Sequence, residues 1–150
     1  MRDVVAYLAF LSRGTAVAPP APSARLQKWA AFTADTAAGA RVYADVCNKC
    51  HGPAGEGTAV APPLWGPGAY NIGAGMSRVR TAAEFIRANM PFDQPGTLSD
   101  QQAFDVAAYV SAHPRPDFAG KERDWPNGDP PPDVAYPTSA VQRKMTTTPR

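Results

Sequence analysis

Apolar side chains recur at helical spacing in several stretches, and nowhere alternate long enough to suggest a strand. Ala38, Val42 and Val46 run along one face of a helix predicted over residues 37–50, a face that also carries Cys47 and Cys50. A second helix is predicted over 82–89, with Thr81 and Glu84 at capping-box spacing. A third, over 100–112, opens on Ser99 with Gln102 and is stopped by Pro114. Its apolar face is Ala103, Val106, Ala107 and Val110, flanked by Phe104 and Tyr109. A shorter helix is expected over 24–32, with Ser23 as cap and Trp29 on its apolar side. Gly39 sits inside the first of these helices, where glycine costs about 1 kcal/mol relative to alanine. Close approach of another helix would explain it. The pattern is all-α.

The N-terminal stretch repeats the last helix. Asp3-Val4-Val5-Ala6-Tyr7-Leu8 matches Asp105-Val106-Ala107-Ala108-Tyr109-Val110 in register, and an arginine follows each motif at Arg13 and Arg115. Residues 1–13 therefore read as the closing helix of an upstream, homologous domain, with Val4, Tyr7, Leu8 and Leu11 as its packing face. Two amphipathic helices of similar composition, or a poor signal peptide, are the alternatives. Residues 14–35 would be a linker with the short helix, 36–113 the complete domain, and 114–150 an extended tail.

Composition sharpens this division. The 150 residues carry 17 prolines and 12 glycines, concentrated in 18–22, 53–75 and 114–137, which marks linker, long loop and tail. A net charge of +2 gives no reason to expect a nucleic-acid partner. No apolar run reaches the 18 or so residues needed to span a membrane.

The two cysteines carry the chemistry. A disulfide framework or a structural zinc site needs more ligands than Cys47, Cys50, His51 and His113 supply, and a thioredoxin-like pair needs no histidine after it. Cys47-Asn48-Lys49-Cys50-His51 is C-x-x-C-H, the attachment pattern of c-type haem. Positions three apart lie on one helix face, so two thioethers can reach one haem, and His51 follows as proximal iron ligand. One covalent haem is expected. Met76, Met90, Met145 and His113 are candidates for the opposite ligand. Met90 is preferred, because it closes a helix well past His51 and Pro91 stiffens the loop behind it. Met76, in a glycine-rich stretch nearer the motif, fits packing against the haem edge; His113 fits a helix-end dipole partner. Imidazole opposite thioether favours ferrous iron. In the intervening loop, Trp65, Tyr70 and Asn71 are candidates to bind haem propionates, with Arg78 or Arg80 supplying charge. Trp65 and Tyr70 could equally cover the apolar haem edge.

Gly39…Tyr43, Cys47–His51, Met90-Pro91 and the run Leu98-Ser99-Asp100…Asp105–Val110 resemble class I cytochromes c. That resemblance implies helices packed around one haem, with the glycine and aromatic of the first helix meeting the aromatic of the last. Trp65-Gly66-Pro67, Tyr70-Asn71, Gly73-Ala74-Gly75-Met76, Asn89-Met90-Pro91 and His113–Pro116 are similar to the C-terminal haem domain of dihaem thiosulfate dehydrogenases. The tail with Lys121, Asp124-Trp125-Pro126 and Tyr136-Pro137 is similar too. The family carries two haems and oxidises thiosulfate to tetrathionate at the first, whereas this chain has one C-x-x-C-H. The resemblance thus implies an electron-exit domain that passes electrons to another cytochrome or a small carrier, with an upstream haem domain as a further candidate partner. It also implies the periplasm, where bacterial c-type haem is attached. The alternative is an enzyme fragment or subunit that itself oxidises thiosulfate.

Overall fold

The computed structural model describes residues 2–11, 13 and 27–138. The expected linker over 14–22, the Ser23 cap and Met145 lie outside these residues. Among the described residues there are five α-helical segments: α1 (Arg2–Leu11), α2 (Thr36–Val42), α3 (Asn48–His51), α4 (Val79–Asn89) and α5 (Asp100–Ser111). A π-helical turn, Tyr43–Cys47, joins α2 to α3 without a break, so 36–51 forms one attachment helix. Among the described residues there is no strand, and no helix is long and apolar enough to cross a membrane.

The core forms where α5 packs against both α2 and α4. At the α2–α5 crossing, a Cβ added to Gly39 would lie 2.1 Å from the Asp105 carbonyl oxygen and 2.9 Å from the Tyr109 Cβ. Only glycine admits that approach, which is the reason for a poor helix former there. The Asp35 side chain accepts the Ala37 and Ala38 amide hydrogens as N-cap of α2. Its own backbone N–H donates to the buried carboxylate of Asp105 at 2.9 Å, which fixes α2 on α5.

On the other side of α5, Trp29 is fully buried and stacks on Phe104, with Phe32 alongside. Of the expected helix over 24–32, residues 24–26 lie outside the described residues, and the described part runs from a helical Gln27 into a 3₁₀ turn, Lys28–Ala31. That turn places Trp29 between α4 and α5, and its indole N–H donates to Glu84 at 3.0 Å.

The ends of α4 depart from expectation. The Thr81–Glu84 capping box does not form: α4 begins at Val79, and Arg78 caps it without a side-chain bond. Glu84 is engaged by Trp29 and by Lys28, while the Arg80 amide hydrogen goes to Asp133 in the tail, at 3.0 Å. At α5 the Ser99–Gln102 capping box is present in both directions.

The proline-rich tail lies against the domain. The Gly66 and Ile72 amides donate to the Pro114 and Pro116 carbonyls, so the tail and the 53–75 loop share hydrogen bonds without forming a sheet. Arg115 donates to the Val110, Ser111 and His113 carbonyls, satisfying the C-terminal end of α5 that its dipole makes negative. Its guanidinium also lies over the Tyr70 ring.

Candidate functional site

Cys47 closes the π-helical turn, and Cys50 and His51 follow on α3, so one continuous helix delivers both thiols and the imidazole. At the start of that turn, Tyr43 is buried with Val106 and Val110, and Cys47, Leu64, Trp65 and Tyr109 pack on the same cluster. Burial pushes the Cys47 thiol up to about 11, with the neighbouring Cys50 thiol adding to the shift. A redox-active thiol pair or a zinc thiolate needs the opposite, a depressed pKa. Among the described residues no three His, Cys, Asp or Glu side chains converge as a metal-ion cluster.

The chain then reverses at Gly52, whose φ of +80° suits glycine. The buried Tyr43 hydroxyl donates to the Gly52 carbonyl at 2.6 Å and pins the turn. The Gly57 amide and the Thr58 hydroxyl donate to the His51 and Cys50 carbonyls, meeting acceptors that the helix end leaves open.

His51 Nδ1 lies 2.8 Å from the Pro62 carbonyl oxygen. A carbonyl only accepts, so Nδ1 carries the hydrogen and the Nε2 lone pair is free for a metal. Two thiols one turn apart, an oriented imidazole and an apolar wall fit a covalently attached haem. Cys47, Cys50 and His51 are thus brought together.

The remaining expected residues divide. Met90 is the half-buried residue at the end of α4, held by its amide to the Ile86 carbonyl, and belongs to neither buried cluster. Met76 packs on the Trp29–Ala83–Phe104 cluster, so its side chain is part of the core. Trp65 stacks on His113 with centroids 4.0 Å apart and meets Tyr43 and Tyr109. Gly55 lies under its indole, where a Cβ would come within 2.3 Å of the ring. The Tyr70 hydroxyl donates to the Met76 carbonyl and accepts from Arg115, which places it in a protein network between loop and tail. The Asn71 side chain caps its own turn at Gly73, and its carbonyl accepts from Ser77. Arg78 lines a cavity of about 130 Å³ with Gly73, Trp125 and Tyr136. His113 Nδ1 donates to the Tyr109 carbonyl at the end of α5.

Three features escaped the sequence reading. They are the Pro62 carbonyl, the Tyr43–Gly52 bond and an ion pair at 2.7 Å between Lys49, inside the C-x-x-C-H motif, and Asp93 beyond Met90. The pair Pro62-Pro63 after the motif was a usable signal for the first, since prolines hold a carbonyl in a fixed place.

The chain is similar to known proteins. Thiosulfate dehydrogenase of Psychrobacter arcticus is 42% identical over 141 residues, covering 89% of this chain and 43% of that protein. The enzyme of the same name from Allochromatium vinosum is 41% identical over 127 residues, covering 77% of this chain and 46% of that protein. The chain thus spans less than half the length of these relatives. Among solved structures, the "as isolated" form of thiosulfate dehydrogenase (TsdBA) from Marichromatium purpuratum superposes with a TM-score of 0.58 at 47% identity, covering 69% of this chain and 24% of that one. The family model described as "Cytochrome C oxidase, cbb3-type, subunit III" matches residues 34–110, from the N-cap of α2 almost to the end of α5, and the chain belongs to that cytochrome c family.

Proposed function

We propose that this chain is a one-haem electron-transfer domain of a thiosulfate dehydrogenase-like protein. Cys47 and Cys50 would attach the haem, and His51 Nε2 and the Met90 sulfur would be the protein ligands of its iron. The observation that carries this reading is the His51 Nδ1–Pro62 hydrogen bond, which fixes the tautomer and leaves the Nε2 lone pair for a metal. When bound, the haem would supply one-electron chemistry at iron; the chain would hold it through Cys47 and Cys50, orient the imidazole, and pack Tyr43, Trp65 and Val106 beside Cys47. With both His51 and Met90 as ligands, the iron would have no open position for substrate. Thiosulfate oxidation would need an iron site that a small sulfur anion can enter, and the described residues bring no nucleophile and base together in its place. This reading gives the chain electron exit to another cytochrome or a small carrier, with the periplasm as its place, in keeping with its similarity to thiosulfate dehydrogenases.

The test is spectroscopic. The holoprotein extracted with acid-acetone should retain one haem by intact mass, and its ferric form should show the weak near-infrared band of methionine-bound haem. Reduction by ascorbate should proceed while thiosulfate with ferricyanide gives no turnover. Recovery of the apo mass, or tetrathionate formed by the intact chain, defeats the reading.

The domain reading extends to α1. Val4, Val5 and Tyr7 match Val106, Ala107 and Tyr109 in the repeated motif. Val106 and Ala107 are core residues in α5, while Val4, Val5 and Tyr7 are each more than 60% exposed in α1. That exposed apolar face supports reading α1 as a closing helix whose partner would be a second helix of the α2 type, as an upstream cytochrome domain would supply.

A further inference from the structure

We propose that Lys49 and Asp93 form a polar latch that holds the Met90 loop against the haem-attachment segment, and so act as positioning residues for the sixth iron ligand. The inference rests on Met90 being that ligand. Lys49 stands between the two haem cysteines, and Asp93 lies three residues beyond Met90. Lys49 Nζ donates to Asp93 Oδ2 at 2.7 Å across 44 residues of sequence.

The rest of the loop explains why this bond matters. Its far end is secured twice: Arg87 donates to the Gly96 carbonyl, and Leu98 is buried. At its near end the Gln94 amide turns back to the Pro91 carbonyl and Thr97 to Gln94, so these bonds shape the loop without tying it to anything else. Phe92 adds no anchor by burial, being 86% exposed. Among the described residues, the Lys49–Asp93 pair is the polar contact that joins this end to the attachment helix. Each partner favours the charged form of the other, raising the Lys49 pKa and lowering that of Asp93 through their hydrogen bond. Both side chains are half exposed, so the latch is weak and salt-screened, suited to biasing a ligand equilibrium rather than to holding the fold.

The experiment is displacement of methionine from the ferric holoprotein by imidazole, followed by loss of the near-infrared band. Asp93→Asn and Lys49→Gln should each tighten apparent imidazole binding about two- to fivefold at low ionic strength, the range of an exposed ion pair. The advantage should vanish in about 1 M salt, where the wild type reaches the variants' affinity. The double variant should bind no tighter than either single one, and the charge-swapped pair Lys49→Asp with Asp93→Lys should return toward wild type. Asp93 lies outside the attachment motif, so its variant leaves haem loading intact. Equal affinities of wild type and Asp93→Asn at low salt, with the methionine band present, overturn the latch alone. Absence of the band from the wild type overturns the ligand reading and the latch together.

Discussion

The Asp133 carboxylate caps α4 by accepting the Arg80 amide hydrogen at 3.0 Å, although the two residues lie 53 positions apart. A helix start that sequence assigns to a local box is completed by the tail. Asp133→Ala should lower stability by about 1 kcal/mol, the usual cost of a lost cap. Amide hydrogen exchange should quicken first at Arg80. Unchanged exchange there would show that the tail only rests on the domain.

The α2–α5 crossing gives a sharper test. Gly39→Ala drives a methyl group into the Asp105 carbonyl, a backbone atom that cannot step aside alone. Overpacking of this kind costs about 1–3 kcal/mol, visible as a lower melting temperature of the holoprotein. Gly68→Ala is the control. Its added methyl would meet only Pro63, at 3.5 Å, and the melt should barely move.

The two central methionines should part company. Met76→Ala removes core packing against the Trp29 cluster and should cost about 2 kcal/mol while leaving the near-infrared band in place. Met90→Ala should abolish that band and raise the affinity for added imidazole. The reverse pattern would assign the ligand to the glycine-rich segment.

Tyr43 predicts an alkaline limit. Burial, the largest cause, pushes its phenol up to about 12. Below pH 10 folded and unfolded chains both keep the phenolic proton, and this group adds no pH dependence. Between 10 and 12 the unfolded chain releases it while the folded chain does not. Stability should therefore fall with rising pH, by up to about 1.4 kcal/mol per pH unit from this group. Tyr43→Phe should start lower by about 1 kcal/mol, from the lost Gly52 bond, and show a shallower alkaline slope. Melts from pH 8 to 12 compare the slopes directly.

Removing residues 1–22 should leave the haem spectrum and the melting temperature of the domain nearly unchanged, because Val4, Val5, Tyr7, Phe10 and Leu11 are all largely exposed. A loss of several degrees would mean that α1 stabilises the domain it precedes.

The C-x-x-C-H motif, the α5 capping box, the all-α pattern and the need for a close neighbour at Gly39 were legible in the sequence because each is local. Residue spacing on a helix decides which side chains share a face, and a glycine inside a helix asks for a reason wherever it occurs. The tertiary structure decided what depends on partners far along the chain. Glu84 has the right spacing for a cap, yet Trp29, 55 residues away, takes its carboxylate, and Asp133 replaces it. Pro62 sets the His51 tautomer, Trp65 stacks on His113, and Asp93 finds Lys49. Polar groups take the acceptor that folding brings nearest, and sequence distance does not measure that. Which atoms converge at the end of the attachment helix was therefore settled only when the loop and tail folded back onto it.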